Sequence, residues 1–246
     1  MTQATVSLDD DQIALYEENG FLSIDRITEP EEIEELKMIY DRLFEEETTQ
    51  DERKELGNID DEGRETLPQV LAPHTIEPAL TETQLHVNAV HIAKQLIGED
   101  AEFNGDHAIL KPAQYGAPTP WHQDEAYWDP AARYHRLSIW VPFGDATVEN
   151  GCMQFVPGSH EYEVLPHHEI EGEGVALELD DIEEYVDKDE VVACEIPAGG
   201  ATIHDSKTFH YTAPNQTDEP RRAYVLTLGL PKQPRDEPRD FYWLEA

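Results

Sequence analysis

Apolar residues recur at helical spacing up to about residue 100 and then give way to short extended runs, so the chain divides by pattern before any side chain is read for chemistry. Ile13, Leu15 and Tyr16 within Asp9 to Gly20 predict a short amphipathic helix, closed by Gly20 and followed by the apolar stretch Phe21-Leu22-Ser23-Ile24. A second helix follows Thr28, which can cap it with Glu31 three residues on; Pro30 lies in the first turn, and Ile33, Leu36, Ile39, Tyr40 and Leu43 form one apolar stripe. From Glu45 to Glu65 the periodicity fades into Glu and Asp with Gly57 and Gly63, which predicts an exposed loop or frayed helix. Leu85, Val87, Val90, Ile92 or Ala93, and Leu96 restore the helical stripe as far as Gly98.

Beyond that glycine, Pro and Gly punctuate β-like runs: Ala101–Lys111, Leu137–Phe143, Met153–Val156, Val191–Ile196, Ala201–His204 and Arg221–Leu230. Helices followed by strands predict a mainly β fold with flanking helices, an antiparallel sandwich or barrel. The expected organisation is one domain over 1–246: a helical part to residue 100, a β core over 101–230 and a C-terminal tail over 231–246. Residues 160–190, weakly ordered in pattern, form a long insertion between strands.

Charge changes the picture. The 246 residues carry 17 Lys and Arg against 54 Asp and Glu, a net charge of −37 spread along the chain, which argues against nucleic-acid binding. Such self-repulsion is screened at high ionic strength, so a salty cytoplasm is the expected setting. No apolar run long enough to span a bilayer occurs and the start Met1-Thr2-Gln3-Ala4-Thr5 lacks signal-peptide character, so a cytoplasmic protein without membrane partner is expected. Cys152 and Cys194 are too few for a disulfide scaffold or thiolate zinc site and read as buried thiols.

Trp121-His122-Gln123-Asp124 supplies the most suggestive metal-binding pair, because residues two apart on a strand share a face. With acids at 54 of 246 positions, chance alone gives roughly two His-x-acid pairs among 11 histidines, and His167-His168-Glu169 is the other. The surroundings separate them: His122 follows a Pro, Gly and aromatic stretch, His167 an acidic insertion. His204 and His210 are the candidates for a third ligand. His210 has the better neighbours, since the turn Pro214 to Pro220 returns Arg221 or Arg222 towards it. Two imidazoles and one carboxylate suit a non-heme Fe(II) centre better than zinc, magnesium or calcium. His74, His86 and His91 read as surface or packing residues; Tyr127 and Trp128 either line a pocket or pack.

Trp121-His122-Gln123-Asp124, Glu149-Asn150-Gly151-Cys152 leading to Val156-Pro157-Gly158-Ser159-His160, and His210 followed by Pro214-Asn215 and Arg221 together resemble the phytanoyl-CoA dioxygenase family, as does the opening Tyr16 to Leu22. The resemblance implies a double-stranded β-helix, or jelly roll, with N-terminal helices. It implies Fe(II) held by His122, Asp124 and His210, with 2-oxoglutarate as co-substrate and O2 as oxidant, and ascorbate supporting the assay. Arg221 corresponds to the arginine that binds the far carboxylate of 2-oxoglutarate, while Trp140 and Thr212 fall at co-substrate positions; His107 and Lys111 match more loosely. Asp124 implies hydroxylation of a small organic molecule over halogenation. A cupin-like metal-dependent isomerase or hydrolase, or a jelly roll that binds metal without catalysis, are the alternatives, and Arg221 discriminates.

Overall fold

The computed structural model describes residues 3–45, 62–170 and 176–244. Most of the expected 45–65 loop lies outside them. Helix α1 (Asp10–Asn19) starts with a capping box between Asp9 and Gln12 and stops at Gly20, whose φ of 80° is left-handed. A Cβ at that glycine would overlap the His160 ring and the Thr208 hydroxyl. Helix α2 (Pro30–Glu45) departs from the predicted cap: the Thr28 hydroxyl donates to Glu32 instead of closing on the helix backbone. The Glu32 carboxylate accepts from the backbone amides of Gln84 (2.6 Å) and Leu85 (2.9 Å), placing negative charge at the start of α3 (Gln84–Ile97), the favourable end of its dipole.

The described residues form fourteen strands: β1 Phe21–Ile24, β2 Gln69–Leu71, β3 Glu102–Lys111, β4 Thr119–His122, β5 Ala132–Arg133, β6 Arg136–Pro142, β7 Met153–Phe155, β8 His167–Glu169, β9 Leu177–Leu179, β10 Val192–Cys194, β11 Ala201–Asp205, β12 His210–Thr212, β13 Arg221–Gly229 and β14 Gln233–Pro234. A six-stranded sheet in the order β1-β11-β6-β13-β3-β2 faces a four-stranded sheet in the order β10-β7-β12-β4, all pairings antiparallel: a jelly roll. The part before residue 100 is not only helical, because β1 and β2 supply both edges of the large sheet.

Alternation along β6 sorts the layers. Leu137, Ile139 and Val141 point outward and pack with Ile33, Leu36 and Tyr40 of α2 and Leu85, Ala89 and Ile92 of α3. Trp140 points inward into a second cluster with Phe21, Met153, Phe155 and Ala223 between the sheets. The described part of the 160–190 region is more ordered than its sequence suggests: β8 and β9 pair antiparallel, and Leu165, Leu179, Ile182, Tyr185 and Val186 cluster with Trp121 of β4 and with Phe209, just before β12. The tail also packs. Strand β14 pairs with β5, and Trp243 is buried with its indole N–H donating to the Ala126 carbonyl at 2.9 Å. No helix among the described residues is long and apolar enough to cross a membrane.

Candidate metal and co-substrate site

His122 ends β4 and His210 begins β12, and the two are cross-strand partners with ring centroids 4.0 Å apart. Each ring is turned by its own strand. His122 Nδ1 bonds the Pro120 carbonyl at 2.7 Å and His210 Nδ1 the Thr208 carbonyl at 2.9 Å, so both Nε2 lone pairs are left free. They face one carboxylate oxygen, Asp124 Oδ1, at 3.7 Å and 3.4 Å. One ligand atom from each residue lies within 4.8 Å of the others, so the two nitrogens and one carboxylate oxygen fit an iron(II) or similar ion.

The shared-face argument for His122 and Asp124 is corrected by the structure. The strand ends at His122, and Asp124 opens a 3-10 turn, Asp124–Tyr127. What aims the carboxylate is the residue between. Gln123 is fully buried: its Oε1 accepts from Leu165 N (2.8 Å), its Nε2 donates to the Lys207 carbonyl (2.9 Å), and its backbone N–H donates to His167 Nε2 (3.2 Å). His167 is therefore a support for the triad, while His168 sits on the surface 2.6 Å from Asp180.

Two further neighbours of Asp124 come from the large sheet. Ser138 Oγ donates to Oδ2 at 2.6 Å, and His204 Nε2 stands 3.4 Å from the same oxygen. His204 and His210, weighed as alternatives in the sequence, thus both surround Asp124, and only His210 completes the three-residue group. Ser138 carried no motif, although its place two residues before Trp140 puts it on the same inward face. Burial works to raise the Asp124 pKa, yet the surrounding histidines, His210 first and then His122 and His204, bring it well below the usual carboxylate range. Burial above all, then the nearby His210, lowers the His122 pKa, which keeps the imidazole neutral as a ligand must be.

Arg221, at the start of β13, is buried, and its Nε and Nη1 have no hydrogen-bond partner among the described residues. Its guanidinium carbon lies 5.1 Å from the centre of the Trp140 ring. Burial pulls its pKa down to about 10, which leaves it charged at neutral pH. An uncompensated buried cation is costly, so the site is built to receive an anion. Arg222 faces the other way and pairs with Asp41 at 2.7 Å, which decides between the two arginines. Thr212 Oγ1 and His107 Nε2 are also buried without partners, and burial holds the His107 pKa down to about 4. Arg221, Trp140, Thr212, His107 and the metal triad all line one cavity of about 490 Å³. Lys111 does not line it; its buried ammonium donates to the carbonyls of Thr212 (3.2 Å) and Ala213 (2.7 Å).

The remaining motif residues shape the backbone. Ser159 Oγ accepts from Phe209 N at 2.8 Å, immediately before His210. Asn215 accepts from Thr217 N (3.0 Å) and donates to the Lys111 carbonyl (3.2 Å), closing the turn that returns Arg221. Asn150 accepts from Thr147 N at 2.9 Å within a turn.

Known proteins resemble this chain in sequence and fold. EvdO2 from Micromonospora carbonacea var. aurantiaca, solved alone and complexed with 2-oxoglutarate, superposes with a TM-score of 0.83 at 36% and 35% identity, over 98% of this chain and 99% of its own. A phytanoyl-CoA dioxygenase domain-containing protein 1 homolog from Dictyostelium discoideum is 26% identical over 90% of this chain and 91% of that protein. A probable alpha-ketoglutarate-dependent hypophosphite dioxygenase from Stutzerimonas stutzeri is 28% identical over 65% of this chain, and this chain spans only 56% of that relative's length. Residues 16–223 match the phytanoyl-CoA dioxygenase family as a whole. With its jelly roll, its two-histidine, one-carboxylate group and a match across most of its length, the chain belongs to the phytanoyl-CoA dioxygenase (PhyH) family of 2-oxoglutarate-dependent non-heme iron dioxygenases.

Proposed function

We propose that this protein hydroxylates a small organic substrate, with 2-oxoglutarate as co-substrate. His122, Asp124 and His210 hold Fe(II), which supplies the oxidative chemistry: one oxygen atom of O2 enters the substrate and the other enters succinate, with release of CO2. The chain's own residues orient and protect. Arg221 takes the far carboxylate of 2-oxoglutarate, its planar fork held by Trp140; the Thr212 hydroxyl and neutral His107 offer further hydrogen bonds along the co-substrate. Lys111 acts beneath, its amino group tying down the Thr212 and Ala213 carbonyls. Ser138 and Gln123 keep Asp124 aimed at the metal.

The observation that carries this reading is the buried guanidinium of Arg221, unpaired and opening into the cavity that holds the triad. Relatives act on small molecules: ectoine is named for the ectoine dioxygenase of Nocardia farcinica, 25% identical over 93% of this chain, and hypophosphite for the Stutzerimonas protein. A small-molecule substrate follows by analogy. The charge of −37 fits a cytoplasm of high ionic strength.

Calorimetric titration of 2-oxoglutarate into anaerobic Fe(II)-loaded protein tests the assignment. Arg221→Ala is expected to weaken 2-oxoglutarate by about 30-fold or more while iron content stays at the wild-type level. Unchanged affinity would transfer support to a metal-dependent isomerase or hydrolase, or to a metal-binding jelly roll without catalysis.

A further inference from the structure

Strand β6 presents three side chains to the cavity at alternate positions: Trp140, Ser138 and Arg136. Trp140 supports Arg221 and Ser138 holds Asp124, so Arg136 stands one strand repeat, about 7 Å, past the metal group on the side away from Arg221. The cavity therefore runs from one guanidinium to another with the triad between.

Arg136 is held in place and left without a counter-ion. Its guanidinium lies over the rings of Trp128 (4.9 Å) and Tyr134 (4.6 Å), and its buried Nε has no hydrogen-bond partner. No acidic group forms a salt bridge with it among the described residues. Glu125, the carboxylate it senses, is already taken by Arg239 at 2.8 Å and by the Ser206 hydroxyl at 3.1 Å. Its stem has a prepared bed: the cross-strand partner is Gly229, where any Cβ would overlap Arg136 Cγ. In a chain with 54 acids and 17 Lys and Arg, a cation clamped by two aromatic rings and turned into a cavity is not an ordinary solvated surface charge. Trp128, which stacks on the guanidinium, is itself part of the cavity lining, to which Leu71, Ile109 and Val225 add apolar surface.

We propose that Arg136 determines substrate specificity by binding an oxyanion, a carboxylate or phosphate, carried by the prime substrate on an apolar body. This rests on the reading of Arg221 as the 2-oxoglutarate anchor, which leaves Arg136 free for the second ligand. An anion seated at Arg136 leaves the apolar part of the substrate lying across the metal group, where hydroxylation takes place.

The test uses anaerobic protein saturated with Fe(II) and 2-oxoglutarate, so that Arg221 is occupied, titrated calorimetrically with phenyl phosphate, phenylacetate and the neutral benzyl alcohol. At least one anion is expected to bind about tenfold more tightly than benzyl alcohol. Arg136→Gln is expected to lose that advantage with 2-oxoglutarate affinity unchanged, and Arg136→Lys to keep only part of it. Gly229→Ala, which leaves the charge but displaces the stem, is expected to weaken the anion as well. Equal binding of the anion to wild type and Arg136→Gln, or no preference of the wild type for either anion over benzyl alcohol, would overturn the inference. Those results leave the Arg221 titration standing, whereas 2-oxoglutarate binding indifferent to Arg221→Ala would defeat the functional reading instead.

Discussion

Ser138 Oγ lies 2.6 Å from Asp124 Oδ2, and this single hydrogen bond ties the carboxylate of the small-sheet side to the central strand of the large sheet. It occupies the oxygen that does not face His122 and His210, and so fixes which oxygen is offered to a metal. Outer partners of this kind tune affinity without being ligands. Ser138→Ala should lower Fe(II) affinity or turnover roughly 10–100-fold while the fold is kept. Metal titration beside a melting curve checks it; an unaltered affinity would mean that Gln123 and the 3-10 turn hold Asp124 unaided.

Gly20 joins α1 to β1 where His160 and Thr208 close over it. Its carbonyl also accepts from Thr208 Oγ1 at 2.8 Å, two residues before His210. Gly20→Ala combines a left-handed backbone with a side-chain overlap and should cost about 2 kcal/mol or more. Urea denaturation gives the value directly. Because the strain adjoins the strand that carries His210, weaker metal binding is expected alongside.

His107 and His167 are both buried and both held down to about 4, chiefly by desolvation; the acids Asp124 and Asp106 near His107 oppose the shift without cancelling it. In the unfolded chain each imidazole takes up its proton near pH 6.5. The unfolded state thus binds more protons between pH 6.5 and 4, so this contribution to stability is complete above pH 6.5 and fades as pH falls to about 4. Relief of surface repulsion acts in the opposite direction over the same range, since 54 acids begin to neutralise. Comparing apo wild type with His107→Gln separates the two: the variant should lose less stability on acidification, and parallel curves would show that His107 does not titrate on unfolding.

Salt should act on the whole surface. Between dilute buffer and molar KCl the screening length falls from about 10 Å or more to about 3 Å, which removes most repulsion among charges summing to −37. The melting temperature is expected to rise by several degrees over that interval. A flat response would mean that the acidic surface carries no net repulsive penalty.

Much of this molecule is written in local periodicity. The stripe Ile33, Leu36, Tyr40 and Leu43 is buried as its spacing requires, and β3, β6 and β13 run almost where their alternation places them, because burying one face is a demand each segment meets by itself. The three residues that come together as a candidate metal group were legible too, as residue types within recognisable surroundings. Short strands such as β4 and β12 carry too few residues for a period to show. Their pairing is what joins His122 to His210, and pairing is a contact between segments far apart in the chain. The same holds for Asp124, which leaves the strand yet reaches the metal group through the staple of Gln123, and for Ser138, His204 and Arg136, which gain meaning only from what the other sheet or a distant ring sets against them. Sequence by itself determined which faces are apolar and which side chains can ligate; the tertiary structure alone decided which of them meet, because register between strands is set by the packing of the whole sandwich and leaves no trace in the spacing of any one segment.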